Sequence, residues 1–187
     1  MSENKRSKTQ ALFASLAKLY KQGQLLILDS DRLMGERGWE PMDKTALAEF
    51  SYSLNFPERW YARWVYRFYR PEEESKTDRL LFVSIHFASD HDDTEVDEPV
   101  VSAGRLLYDK VSADPSYEYW MCKSCFYGDD HETLDDWQCW DKPGYSKGLK
   151  RIETFKVPLY TITSSEDLKK LVIDRLLTVQ ENEKRVV

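Results

Sequence analysis

The sequence predicts an α+β fold, an antiparallel sheet of four to five strands with N-terminal and C-terminal helices packed on one face. Three observations carry this prediction. Strand-like stretches are grouped between residues 59 and 162 rather than alternating with helices. Helical periodicity flanks them, over residues 1–56 and 164–180. The polar link Glu72–Asp78 is seven residues long, whereas a parallel crossover needs about a dozen or more. A chain of 187 residues fits one domain, 1–187.

The helical part opens with Lys8–Gln22. Leu12, Leu16, Leu19 and Tyr20 recur there at helical spacing, with Phe13 beside them, and Gly23 stands where a left-handed cap would end the helix. Leu25–Leu28 reads either as a short strand or as a turn into a second helix that Asp29 or Ser30 caps and that runs to Met34. Gly35 and Gly38 break the pattern, and Trp39-Glu40-Pro41 reads as a packed loop. Asp43 is placed to cap a helix over Lys44–Ser53, with Leu47 and Phe50 on its apolar side.

The sheet is organised around Arg59–Arg70, RWYARWVYRFYR, in which six of twelve residues are aromatic and four are arginine. Successive strand side chains point to opposite faces. Trp60, Ala62, Trp64, Tyr66 and Phe68 therefore form one apolar face, expected under the helices. Tyr61, Arg63, Val65, Arg67 and Tyr69 form a mixed face. Arg79–Ala88 is the second strand, with Leu81, Val83, Ile85 and Phe87 on one side and Leu80, Phe82, Ser84 and His86 on the other. The acidic stretch Ser89–Glu98 belongs in solvent. Pro99–Tyr108 is the third strand, with Gly104 as a candidate bulge. Tyr117–Phe126 has strand composition, and Trp137–Trp140 is a short amphipathic piece. Ile152–Ile162 is the last strand, with Phe155, Val157 and Leu159 inward and Pro158 marking an edge or an irregularity. Ser164-Ser165-Glu166-Asp167 starts the final helix with a capping side chain and two acids near its positive end. Leu168, Leu171, Val172, Leu176 and Val179 form its apolar stripe.

Composition narrows the function classes. The net charge is -6, so phosphate backbones attract this chain only through a local basic patch, and nucleic acid is an unlikely partner. No segment approaches the roughly 20 apolar residues of a membrane helix, so no membrane partner is expected. Three cysteines make an odd count, which argues against a disulfide scaffold and for a reducing, cytoplasmic setting. Nucleophile elbows, phosphate-cradling glycine loops, dinucleotide fingerprints and metalloprotease helices are absent from the sequence.

Three constellations remain. Cys122-x-x-Cys125, His131 and Cys139 supply three thiols and an imidazole, a legitimate tetrahedral zinc set. The alternative is that they are ordinary free cysteines, because EYWMCKSCF reads as a strand that would point the first two apart. The arginines and aromatics of Tyr61, Arg63, Arg67 and Tyr69 form the best candidate binding surface, for a protein partner or a second copy of the chain. They also have the elements of a nucleic-acid platform. The competing account is that acidic segments of the same chain cover them. Leu25–Met34, LLILDSDRLM, superficially resembles the first motif of haloacid-dehalogenase-type phosphatases over ten residues. The resemblance implies Asp29 as nucleophile and Asp31 as acid. Arg32 departs from the motif's usual small residue or threonine, and antiparallel hairpins depart from that family's alternation of strand and helix. A helix cap or turn is the reading preferred for both aspartates. The chain is thus expected to be a soluble cytosolic binding or interaction protein with no evident catalytic motif and no obligate cofactor. A Cys/His zinc protein or enzyme is the alternative, and nucleic-acid binding through the aromatic–arginine face is the second.

Overall fold

The computed structural model describes residues 3–44, 46–48, 62, 64–72, 78–87, 98–108, 137–141 and 148–178. A long helix, α1 (Glu3–Gly35), precedes the strands β1 (Trp39–Pro41), β2 (Leu47–Ala48), β3 (Trp64–Pro71), β4 (Arg79–His86), β5 (Val100–Tyr108), β6 (Gln138–Asp141) and β7 (Leu149–Pro158). A 3₁₀ turn (Leu159–Thr161) leads to α2 (Ser165–Leu168), which continues through a π-turn (Lys169–Ile173) into helical residues 174–178. The strands form a seven-stranded sheet in the order β1-β3-β4-β5-β7-β6, with β2 also on β3. Every pairing is antiparallel. The additional strands beyond the expected four to five are the short pieces β1, β2 and β6.

The α1 helix is longer than its sequence signals suggest. Gly23 does not end it. A Cβ at Gly23 would lie 2.8 Å from Phe87 Cζ, so the glycine lets the helix approach the sheet. Glycine costs a helix interior about 1 kcal/mol, and tertiary packing outweighs that here. Leu25–Leu28 is neither strand nor turn, and Asp29 and Asp31 lie within the helix instead of capping one. Ser30 returns its hydroxyl to the Leu26 carbonyl at 2.9 Å, which satisfies a buried polar side chain inside the helix. The break comes where Gly35 ends the helix and Gly38 takes a positive φ of 77°. The turn feeds Trp39 straight into β1 opposite Pro71. The helix expected after Asp43 is also corrected. Leu47 and Ala48 pair with Tyr66 and Val65, and residues 49–53 lie outside the described residues.

The helices pack on one sheet face, and β3 is turned opposite to expectation. Val65 and Tyr69 join the core beneath the helices, with Leu81, Val83, Ile85, Ala103, Phe155 and Val157. Ile27, Leu33 and Met34 of α1 enter the same core, as do Leu168, Val172, Ile173 and Leu176 of the C-terminal helix. The even-numbered residues Trp64, Tyr66 and Phe68 lie on the other face with Leu80, Phe82, Leu106 and Ile152. Both faces are buried, so apolarity alone could not choose between them. The mixed face went under the helices because α1 carries partners for its polar tips. Each large apolar side chain fully buried contributes about 1.5–3 kcal/mol relative to exposure.

Gly104 is not a bulge. It keeps register with Phe82 and Thr154, and the irregularity falls at Leu107/Tyr108. A Cβ there would collide with the Glu153 carbonyl and lie 2.8 Å from the Phe82 ring. Pro158 is the last residue of β7, beyond the reach of β6, where its missing N–H is harmless. Leu159 belongs to the 3₁₀ turn, outside the strand. Ser164 caps α2 as its sequence predicts, accepting from Asp167 N at 3.1 Å. The hydroxyls of Ser164 and then Thr163 hold the Asp167 carboxyl below its usual range.

Candidate binding surface along the long helix

Arg67 and Tyr69, two residues apart on β3, point the same way and meet at one carboxylate. Arg67 donates from Nε to Asp31 Oδ1 at 3.0 Å and from Nη2 to Asp31 Oδ2 at 2.8 Å, a bidentate fork. Its Nη1 donates to the Asp43 carbonyl at 2.7 Å. Tyr69 donates its hydroxyl to Asp31 Oδ1 at 2.9 Å. Burial, and then the Asp31 charge, push the Tyr69 phenol well above its usual range. The Arg67 guanidinium is thus committed on all three nitrogens inside the protein. The long arginine stem crosses the apolar layer while its head reaches a helix-borne acid. Sequence reasoning placed Arg67 and Tyr69 on one face but missed Asp31, because a partner 36 residues away has no local signal.

Tyr61 and Arg63, the other two residues of that predicted surface, lie outside the described residues. So do Cys122, Cys125 and His131. Cys139 is exposed on β6. Among the described residues, no three His, Cys, Asp or Glu side chains gather as metal ligands. Among them, too, no helix is long and apolar enough to cross a membrane.

On the sheet face opposite the helices, Ser84 Oγ lies 3.0 Å from His86 Nε2, a separation seen in nucleophile–base pairs. Both residues are buried. Burial, and then the Lys156 charge, lower the His86 pKa to about 3. An imidazole so reluctant to take a proton is a poor general base at neutral pH. Another charged pair, Arg105 with Glu153, is buried between β5 and β7, and Arg151 Nε approaches Glu153 Oε1 at 2.7 Å. The Arg105–Glu153 pair ties β5 to β7 at directly opposed positions, while Arg151 and Glu153 are neighbours along β7 itself.

Open surface gathers on α1 instead. One groove of about 650 Å³ runs between α1 and the segment that leads into α2. Leu19, Leu25, Leu26, Leu159, Tyr160 and Ile162 make it apolar, and Asp29 and Glu98 stand at its margin. Leu25 is 52% exposed and Tyr160 is 66% exposed, unusual for large apolar side chains that border one depression. A smaller cleft of about 260 Å³ lies on the other flank of α1, with Asp31 and Arg67 in its lining and Leu28 at its edge. Beyond the sheet, Leu12 and Phe13 of α1 are 68% and 65% exposed. Leu12 was expected to pack with Leu16 on the sheet, but among the described residues the core contacts of α1 begin at Leu19.

The architecture at this point defines a class, an α+β antiparallel sheet with one helical layer and an apolar groove in it. No protein-family model, curated protein or solved structure matches the chain.

Proposed function

We propose that this is a non-catalytic binding protein that takes a protein partner along α1. The observation that carries the reading is the apolar groove bordered by exposed Leu25 and Tyr160, on the layer that also exposes Leu12 and Phe13. Exposed apolar side chains grouped on one surface mark interaction sites far more often than singly scattered ones. A Tyr with an apolar body and a polar tip suits an interface anchor. The cytosol, which the cysteine count suggests, is the proposed setting.

The test is photocrosslinking in the cells that make the protein. A benzophenone amino acid at position 160 is expected to give a discrete adduct of higher mass. The same group at position 150, where Lys150 is exposed on β7, is expected to give none. Equal yields at both positions, or no adduct at position 160, would refute a binding surface here.

A further inference from the structure

Among the described residues, α1 joins the core from Leu19 onward, and the sixteen residues before it, 3–18, make about 24 Å of helix. Helices of that length are marginal in water without packing on an apolar face. This arm exposes Leu12 and Phe13. Leu12, Leu19, Leu26 and Leu33 recur at every seventh residue and so form one line along the helix. Leu33 is spent in the core, and Leu19 and Leu26 are partly buried against it while also lining the groove. Leu12 continues the same line into solvent.

Charge and spacing say what covers it. The arm presents Lys8 and Lys18, in a chain whose net charge is -6. Among the described residues, the groove lining holds Asp29 and Glu98 and no lysine or arginine, although Arg32 lies 3.5 Å from Asp29. An acidic peptide would be repelled by those two groups, whereas the arm of another molecule would be attracted. The spacing is also self-complementary about Leu19. Leu12 and Leu26 each lie seven residues from it, and Lys8 and Asp29 lie eleven and ten residues from it. An antiparallel twofold beside Leu19 therefore brings Leu12 of each copy to Leu26 of the other, and Lys8 to Asp29. Such a contact is isologous and closes after two chains.

We infer that the groove binds a second copy of this chain, the two α1 helices crossing antiparallel about Leu19. This rests on the groove being a protein-binding surface. The test uses the full-length protein in light scattering after size exclusion, at about 100 µM and at tenfold dilutions below it. The wild type is expected to run as a dimer of the 22.1 kDa chain. Leu12→Asp is expected to give a monomer with unchanged circular dichroism, because Leu12 is exposed in the single chain. Lys8→Glu and Asp29→Lys are each expected to weaken the dimer by about tenfold or more, and the double variant to recover most of it. A wild type that is monomeric at the highest concentration overturns the inference, as does a dimer that Leu12→Asp leaves intact. The adduct at position 160 separates the two levels of the argument. Twice the chain mass supports the dimer. Any other discrete mass overturns the dimer while the binding surface stands, and no adduct removes both.

Discussion

Asp31 offers the sharpest perturbation of the helix–sheet junction. Replacing it by asparagine keeps the size of the side chain and removes the charge that faces Arg67. The Arg67 side chain is 9% exposed and Asp31 is 21% exposed, so the guanidinium would be left nearly dry without its counter-ion. Removing one partner of a buried ion pair costs about 3–5 kcal/mol. Partial access of water to Asp31 screens the pair, and about 2–3 kcal/mol is the better figure. For a chain of this size that corresponds to a fall in Tm of roughly 5–10 °C. Urea unfolding followed by tryptophan fluorescence would measure it, with the m-value required to stay constant. The double replacement Asp31→Leu with Arg67→Met is expected to recover only part of the loss, because it removes both charges but also takes the acceptor from the buried Tyr69 hydroxyl. An Asp31→Asn variant within about 0.5 kcal/mol of wild type would show that the pair does not anchor α1. The same result would free Arg67 for the role of a surface ligand.

Three further outcomes follow from single groups. Tyr69→Phe removes a hydrogen bond to a charged acceptor and is expected to cost about 1.5–3 kcal/mol in the same urea assay; no change would place the Asp31 charge on Arg67 alone. His86 stays neutral in the fold down to a pKa of about 3, while the unfolded chain takes up the proton near its ordinary pKa of about 6.5. Its contribution is therefore present above about pH 6.5 and lost as pH falls toward 3, with stability dropping by about 1.2 kcal/mol between pH 6 and pH 5. His86→Gln is expected to lack that part of the slope, and parallel pH profiles for the two proteins would contradict a buried neutral imidazole. Gly104→Ala is expected to cost about 3 kcal/mol, because the new methyl meets the Glu153 carbonyl and the Phe82 ring. Alanine normally strengthens a strand, so a neutral or stabilising result would mean that β5 and β7 separate easily there.

The sequence announced the sheet more clearly than the helix layer, for physical reasons. Alternation in Arg79–Ala88 and the short link before it identified β4 and its antiparallel neighbour, because a period of two is local information. The Ser164 cap was equally local and appears as expected. Gly23 and Gly104 misled because their local meanings, a cap and a bulge, were displaced by contacts distant in sequence, and Asp29 misled because the helix it was expected to cap had already begun upstream. Gly23 answers to Phe87, and Gly104 to Phe82 and Glu153. Asp29 sits in a helix held by packing and pairs with Arg32 at 3.5 Å. The facing of β3 was illegible for a related reason. Both of its sides are apolar enough to bury, and the side that went under the helices was decided by Asp31 on another element.

That decision bears on where function resides. If the aromatic–arginine strand had presented Arg67 and Tyr69 outward, recognition would have belonged to the sheet. Instead the structure spends both on holding α1 down, and the even-numbered side of β3 is spent in the second core. With both faces of the central strands buried among the described residues, the proposed partner surface is assigned to the helical layer. The ion pair and the groove are then parts of one device. Asp31 and Arg67 fix the middle of α1 against β3, while Gly23 sets the helix close to Phe87. A helix anchored at its middle and C-terminal half holds its N-terminal arm in a defined direction, which a flexible tail would not. Presenting Leu12 at a fixed distance from Leu26 requires that rigidity. Weakening the anchor by Asp31→Asn should therefore weaken self-association even though Asp31 is no part of the proposed contact. Dimer dissociation constants that stay equal in wild type and Asp31→Asn, despite a lower Tm, would separate the anchor from the arm and confine the ion pair to stability alone.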